Sequence, residues 1–319
     1  MILILSDKDD VHANRVEIIL AQRKKDFFRL NLDVESLKNT TITFRNNQWT
    51  LSNKNKEINI NTINAIWPRR VYVELLLEEK SIKDYNFQIW KGEWNKTLLG
   101  IYASLENKRW LNFYRDAYYA ENKYRQHIVA QKVGFNIPDF ITSNEKKDLI
   151  DFAKHNSSVV LKLMNQDIYQ ISEGEFKGIY VNKITKENLH KFGSSSENPV
   201  TLQKYIDKSY EVRYTVVGSN HYVCKIDSQK SNISNTDWRR YDIKNTPHYQ
   251  MTPPNHIKDK VNLFLKIFNL QYGAFDFIVT PSDKWYFLEL NSLGQYLWIE
   301  DLCGLTISEG IAEYLIKNK

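Results

Sequence analysis

Long apolar stretches are missing from this sequence. No segment approaches the run of about 18 apolar residues that a membrane-crossing helix needs. The opening Met1-Ile2-Leu3-Ile4-Leu5 passes directly into Ser6-Asp7-Lys8-Asp9-Asp10. It is too short for the apolar part of a secretory signal and lacks a basic leader, so it reads as a buried strand. Cysteine is scarce too, with only Cys224 and Cys303. Far apart in sequence, they build neither a disulfide framework nor a cysteine-rich metal site, and the usage suits a reducing cytoplasm. Nor is one sign of charge in large excess. Against 38 Asp plus Glu stand 44 Lys plus Arg, a net charge of +6, far from the concentrated basic character of a dedicated nucleic-acid binder. Several catalytic signatures are absent: no Gly-x-Ser-x-Gly elbow, no phosphate-loop lysine, no His-Glu-x-x-His, and no glycine-rich fingerprint after the first strand. The seven histidines scatter without ligand spacing. The expectation is a soluble, cytoplasmic protein that handles anionic small molecules or acidic side chains, with neither nucleic acid nor membrane as partner.

What is present is globular. The 319 residues, 42% hydrophobic and 26% charged, give room for about two domains with sizeable cores. The first third alternates strands and helices. Ile2–Leu5 is a continuous apolar strand, Val11–Lys24 has helical spacing, and Phe27–Leu30 is a second strand. Such a βαβ opening favours a parallel sheet with both faces covered. Ile42–Arg45 and Gln48–Leu51 flank Asn46-Asn47, a tight hairpin. Ala65–Trp67 is another short strand, and Tyr85–Leu105 a long helix closing this part.

Beyond a boundary around Trp110–Tyr118, the spacing predicts a helix over Ala120–Val133 ended by Gly134, and a strand over Phe140–Thr142. A helix over Glu145–His155, capped by Ser143 or Asn144, follows. Strands are then expected at Val159–Met164, Phe176–Val181, Val200–Ile206, Glu211–Val217 and His221–Asp227. A helix over Asn255–Asn269, strands at Gly273–Thr280 and Trp285–Leu290, and a helix over about Thr306–Ile316 complete the chain.

The most informative segment is Gly273-Ala274-Phe275-Asp276-Phe277-Ile278-Val279 followed by Trp285-Tyr286-Phe287-Leu288-Glu289-Leu290-Asn291. Acidic groups sit inside otherwise buried runs, which is costly unless they are paired or bind a metal. Asp276, Glu289 and Asn291 offer only oxygen ligands, which suits Mg2+ bridging phosphate oxygens. Glu289 and Asn291, two apart on a strand, share a face. The alternative is that Asp276 or Glu289 pairs with a buried arginine. Lys162 interrupts the apolar strand Val159–Met164, so an anionic group is expected at its tip, unless it snorkels from an edge strand. Lys123 begins a helix and could place its ammonium near a phosphate. Arg213 shares a strand face with Glu211, and Asp237-Trp238-Arg239-Arg240 clusters two guanidinium groups; such groups grip phosphates and carboxylates through paired hydrogen bonds. For each arginine a salt bridge is the alternative. Arg69-Arg70 and Arg23-Lys24-Lys25 read as solvated or structural.

In order, these pieces resemble an ATP-grasp ligase. Glu121-Asn122-Lys123 with Gln126, Ala130, Gly134 and Pro138 is similar to the opening of that family's central subdomain. Val160-Leu161-Lys162 resembles the strand with the second nucleotide-binding lysine, and Leu202-Gln203-Lys204-Tyr205-Ile206 the hinge that holds adenine. Glu211-Val212-Arg213 resembles the strand after it, and Asp276 with Glu289-Leu290-Asn291 the metal triad. A narrower likeness is to the peptide macrocyclases of the graspetide (microviridin-type) class. It rests on Ile66-Trp67-Pro68-Arg69-Arg70, Trp110-Leu111-Asn112, Asp237-Trp238-Arg239 and the tail Asn291-Ser292-Leu293-Gly294-Gln295-Tyr296-Leu297-Trp298-Ile299-Glu300. Here Ser292 and Tyr296 replace a proline and a tryptophan of that tail, and Phe113 stands where proline usually follows Asn112.

The resemblance implies an α/β chain with an ATP-grasp fold: a pre-ATP-grasp domain over 1–115, a central α+β subdomain over 116–205, and a C-terminal α+β subdomain with the metal site over 206–319. It implies that Lys123 and Lys162 hold the α- and β-phosphates of ATP, and that Gln203, Tyr205 and Ile206 frame adenine with Glu211 near the ribose. Asp276, Glu289 and Asn291 are expected to bind Mg2+, Arg213 to steady the transferring phosphate, and Arg239 to grip the acceptor carboxylate. The implied partner is a ribosomally made precursor peptide with a leader and a core of Ser or Thr plus Glu or Asp, acted on by a homodimer. The leader's docking surface is guessed at Asp237–Arg240 or the Asn255–Asn269 helix. Two other functions stay open: an intermolecular carboxylate–amine ligase of the glutathione-synthetase or glutamate-adding type, and a non-catalytic peptide- or nucleotide-binding module.

Overall fold

A computed structural model describes residues 1–317 apart from 55, 157, 166–167, 173–174, 179–181, 185–197 and 231–244. The chain begins with β1 (Ile2–Ser6), α1 (Val11–Gln22), β2 (Phe27–Asn31), α2 (Val34–Lys38), β3 (Thr41–Arg45), β4 (Gln48–Ser52), β5 (Glu57–Asn59) and β6 (Ala65–Pro68). Then come α3 (Leu77–Lys80), α4 (Tyr85–Ser104) and β7 (Arg109–Trp110). Four of these strands form a parallel sheet in the order β2-β1-β6-β7. The unbroken apolar character of β1 is explained by burial on both faces. Leu3 and Leu5 pack with Leu98, Ile101 and Tyr102 of α4 and with Leu51 and Ile58 of the small β3-β4-β5 sheet. Ile2 and Ile4 pack with Val16 and Leu20 of α1 and with Ile307 and Ile311 near the end of the chain. Asp10 caps α1 by accepting the His12 and Ala13 N–H groups. The β3–β4 turn has Asn46 and Asn47 at φ 51° and 59°, the doubly left-handed geometry a two-residue hairpin prefers.

The middle of the chain comprises α5 (Tyr114–Ala120), α6 (Lys123–Lys132), β8 (Phe140–Ser143), α7 (Lys146–His155), β9 (Val159–Lys162), β10 (Ile168–Ser172), β11 (Glu175–Gly178), β12 (Asn182–Ile184) and β13 (Val200–Lys204). An antiparallel sheet runs β12-β9-β13-β8, and β10 and β11 pair separately. Its core is small, built on Leu149, Ala153, Val159 and Leu202. The expected helix over Ala120–Val133 is divided between α5 and α6, because the Asn122 side chain accepts the Arg125 N–H and starts a new helix. Gly134, at φ 80°, follows its end. Glu145 rather than Ser143 or Asn144 is the cap residue of α7, although Ser143 Oγ accepts the Glu145 N–H at 2.9 Å. Part of the strand expected at Phe176–Val181 lies outside the described residues.

The last part comprises β14 (Tyr210–Val217), β15 (Asn220–Ile226), β16 (His248–Gln250), α8 (Asn255–Ile267), β17 (Tyr272–Val279), β18 (Trp285–Asn291), α9 (Leu297–Cys303) and α10 (Ile307–Ile316). Its antiparallel sheet is ordered β16-β15-β14-β17-β18. One face packs Tyr214, Phe275, Phe277 and Phe287 against Phe264 of α8 and Phe135. Ile257, Val261, Phe264 and Leu265 supply the buried stripe of α8 at helical spacing. Distant in sequence, the two free cysteines meet in space, where β15 and α9 bring their sulfurs to 2.8 Å. Among the described residues no helix is long and apolar enough to cross a membrane.

Candidate functional site

The site is built on a defect in β-pairing. Along β17 the apolar side chains Phe275, Phe277 and Val279 face the aromatic core, which sends Asp276 to the other face. On β18 a strict alternation would place Glu289 on the same face as core residues Trp285 and Phe287. The register prevents this. Asp276 pairs with Glu289 while Phe277 pairs with Phe287, leaving Leu288 as an extra residue. Such a bulge re-aims the residues beyond it, so Leu290 returns to the core and Glu289 stands beside Asp276. Across the next strand Arg213 of β14 lies opposite Asp276. Arginine, aspartate and glutamate thus form one row across three strands.

The row is almost dry, with Arg213, Asp276 and Glu289 all buried. Arg213 Nη1 donates to both Asp276 carboxylate oxygens at 2.9 Å, and Nη2 donates to the Gln295 carbonyl at 3.0 Å. Burial opposes the charge on Arg213, but Asp276, with Tyr272 and Glu289 behind it, outweighs burial and raises the guanidinium pKa. Lys123 Nζ lies 3.1 Å from Glu289 Oε2 and 3.4 Å from the Leu163 carbonyl, to which it donates. Asn291 Nδ2 lies 3.4 Å from Asp276 Oδ2. The arginine-pairing alternative therefore holds for Asp276, and a lysine plays that part for Glu289. Buried ion pairs contribute little net stability after desolvation, so this concentration of charge points to a functional site.

Lys162 does not snorkel; it is 6% exposed. Its Nζ donates to the Leu288 carbonyl at 3.0 Å, the residue at the bulge. That amine helps to close the outer edge of β18, where unsatisfied backbone groups would otherwise remain. Gln126 of α6 does the same one step along, accepting the Leu290 N–H at 2.8 Å and donating to the Leu290 carbonyl at 2.8 Å. Lys123, Lys162, Arg213, Asp276, Glu289 and Asn291 are therefore gathered around β17 and β18.

The hinge residues lie on the adjoining sheet. Lys162 pairs with Thr201 and Val160 with Gln203, so Lys162 and Gln203 share the sheet face opposite Leu161 and Leu202. Gln203 is buried, and its Nε2 has no hydrogen-bond partner among the described residues. Tyr205 and Ile206 follow β13 half-buried, with Lys183 Nζ 3.6 Å from the Tyr205 ring centroid. Glu211 is ion-paired to the buried Lys208. Arg239 lies outside the described residues.

These residues fit a nucleotide with its divalent ion. Asp276 and Glu289 are opposed hard oxygen donors, Asn291 adds an amide beside them, and ammonium groups stand next to the carboxylates. The orphaned Gln203 amide offers a donor on the hinge.

Several supporting residues belong to the sequence motifs but were given no role at the site. Arg69, read as solvated or structural, is buried against Asp10 at 3.0 Å. Asn112 donates to the Tyr272 and Ser292 carbonyls and accepts from the Gln271 and Tyr272 N–H groups. Glu121 accepts both the Ser292 N–H at 2.7 Å and its hydroxyl at 2.6 Å. Burial raises the Glu121 pKa, against the pull of those two bonds. Each lies inside a motif segment that carries the resemblance, where its partner could not be read.

Known proteins share the fold. Residues 1–117 match the family model of the MvdD pre-ATP grasp domain. The fold is similar to a Chryseobacterium gregarium RiPP-associated ATP-grasp ligase solved with ADP and a leader and core peptide, at TM-score 0.86 and 27% identity over 98% of this chain and 96% of that one. Macrocyclase MdnC from Microcystis aeruginosa, solved with precursor peptide MdnA, gives TM-score 0.86 and 24% identity over the full length of both chains. Macrocyclase MdnB from the same organism gives 0.78 and 25% over 99% of each. No curated protein matches in sequence. With a pre-ATP-grasp domain leading into the rest of the chain, the fold is similar to that of ATP-grasp ligases that act on ribosomal peptides.

Proposed function

We propose that this chain is an ATP-dependent peptide macrocyclase. A carboxylate does not condense with an alcohol in water without activation. ATP's γ-phosphate is transferred to a Glu or Asp side chain of a ribosomally made precursor, giving an acyl phosphate and ADP. A Ser or Thr hydroxyl, or a Lys amine, of the same peptide attacks the acyl carbon. The C–O bond to phosphate breaks, the nucleophile's proton is lost, and an ester or amide ring closes. Such transfers need positioning and charge neutralisation rather than a protein nucleophile. In this reading Lys123 and Lys162 hold the α- and β-phosphates, and Gln203, Tyr205 and Ile206 frame the adenine with Glu211 near the ribose. Arg213 steadies the transferring phosphate, and Arg239 grips the acceptor carboxylate. Asp276, Glu289 and Asn291 would hold Mg2+, which supplies neutralisation of phosphate charge.

The observation that carries the reading is the buried row of Arg213, Asp276 and Glu289 with Lys123 against it. Support for a peptide substrate comes from the Chryseobacterium gregarium ligase, which is complexed with a leader and core peptide. The same reading divides the chain at 1–115, 116–205 and 206–319 and makes it a cytoplasmic homodimer. The test mixes the protein, ATP, Mg2+ and a Thr- and Glu-rich peptide encoded beside it. Mass spectrometry is expected to find the peptide lighter by one water per ring, with ADP released in equal number. A heavier peptide would indicate an intermolecular ligase, and no ADP release with any peptide would leave a binding module.

A further inference from the structure

Arg69 belongs to the parallel sheet of the first part of the chain, yet its guanidinium ends beneath the site. Its backbone is fixed just after β6, where the Arg69 and Arg70 N–H groups both donate to the Leu5 carbonyl, at 2.7 and 3.0 Å. The side chain is 4% exposed. Its Nε donates to Asp10 Oδ2 at 3.0 Å, and Asp10 is held in turn by Ser6 Oγ at 2.9 Å and by its capping bonds to α1. Nη1 reaches across to the other half of the chain and donates to the Leu293 carbonyl at 2.9 Å and the Gly294 carbonyl at 3.2 Å.

Those two carbonyls belong to the loop that leaves β18 directly after Glu289 and Asn291. Its consecutive carbonyls are all held from outside. Asn112 takes Ser292, Arg69 takes Leu293 and Gly294, the Tyr272 hydroxyl also takes Gly294, and Arg213 Nη2 takes Gln295. The loop presses directly on the site. A Cβ at Gly294 would stand 3.1 Å from Arg213 Nη2 and 2.9 Å from Asn291 Cβ. Arg213 is thereby oriented at both ends, with Nη1 on Asp276 and Nη2 on a carbonyl whose position Arg69 helps to set.

We propose that Arg69 is a positioning residue for phosphoryl transfer: from the first domain, through the Leu293–Gln295 backbone, it aims the Arg213 guanidinium at the reacting phosphate. The inference rests on the macrocyclase reading for the identity of the reaction. An interaction realised only as the phosphate moves lowers kcat when lost and spares ground-state nucleotide binding. Misplacement of a catalytic group by about 1 Å can lower a rate by about a hundredfold.

The test compares Arg69→Gln, Arg69→Lys, Arg213→Lys and the Arg69→Gln/Arg213→Lys double variant with the wild type. Arg69→Gln is expected to lower kcat about tenfold or more, with the KM for ATP and the calorimetric affinity for ADP with Mg2+ unchanged. In the Arg213→Lys background the same change should have little further effect, since the two residues act as a unit. Losses that multiply in the double variant, a wild-type kcat in Arg69→Gln, or ADP affinity falling in step with kcat would each overturn the assignment. If Arg69→Gln does not fold, Arg69→Lys serves in its place, because lysine keeps the charge near Asp10 but lacks the fork that spans Asp10 and the two carbonyls. Amide hydrogen exchange gives a readout independent of the chemistry. Exchange at residues 293–297 must quicken in Arg69→Gln while β17 stays slow, and an unchanged loop would sink the proposal even if the wild type acts on no peptide. No product from the wild type, with a quickened loop, would count against the macrocyclase reading alone.

Discussion

The five-stranded and the four-stranded antiparallel sheets handle charge in different ways. In the five-stranded sheet every residue of β17 is buried, and Arg213, Asp276 and Glu289 are locked across three strands above an aromatic core. The four-stranded sheet has a core of four fully buried side chains with partly buried neighbours. Its contributions, Lys162 and Gln203, are single long side chains directed off one face. Groups that must meet one another at fixed distances sit on the thick sheet. Groups that need only reach a ligand can sit on the thin one.

The sharpest way to break that contrast is at the row itself. Arg213→Ala leaves Asp276 buried without its cation, and breaking one side of a buried pair costs about 3–5 kcal/mol. Urea denaturation should record a loss of that size together with loss of turnover. Glu289→Gln keeps the shape and removes the charge opposite Lys123, so turnover is expected to vanish while the unfolding midpoint falls by less than in Arg213→Ala. Full activity in either variant would remove the assigned role.

Core truncation tests the difference in thickness. Phe277→Ala, deep in the aromatic cluster, is expected to destabilise by about 3–5 kcal/mol, and Leu202→Ala in the small core by about 2 kcal/mol. Equal losses would show that the thin sheet is packed as firmly as the thick one.

Acid should weaken the thick sheet next. Burial, aided by the nearby Lys258 charge, lowers the His221 pKa from 6.5 to about 4, and Tyr214 Oη lies 2.9 Å from its Nδ1. Because the fold prefers the neutral ring, the stability it contributes is complete above the ordinary pKa. It is lost as pH falls through the folded value. His12, lowered to about 4 mainly by burial, and Asp10, brought to about 2 by Arg69 and Ser6 against its burial, act with the same sign. His221→Gln should flatten part of the fall in stability between pH 6.5 and about 4, read as midpoints of denaturation across that range. The smallest effect is expected at the exposed Lys154–Asp151 pair, 3.9 Å apart on α7. Lys154→Ala should change stability by less than about 0.5 kcal/mol.

Much of this molecule was legible from periodicity. The β1 run, the Asn46-Asn47 hairpin and the long α4 helix each express a local rule, and the structure contains them. The acidic groups on β17 and β18 stood out because carboxylates are rare inside apolar strands. The bulge at Leu288 did not, since one extra residue in a ladder depends on the partner strand's register. The sequence reading put Glu289 and Asn291 on one face but could not tell that the face changes before them. Arg69, Asn112 and Glu121 were opaque for a related reason. Their partners lie 224, 160 and 171 residues away, and all three of those bonds run to backbone groups, which leave little mark in the sequence. The meeting of Cys224 and Cys303 across 79 residues was hidden in the same way.

Ser292 shows what such hidden partnerships do to comparison itself. The related tail has proline at this position, and here the serine N–H and hydroxyl both serve Glu121. Proline has neither donor. Proline here would remove both of those bonds to the Glu121 carboxylate. Ser292 and Glu121 act as a pair, so a substitution at one of them has to be chosen with the other in view.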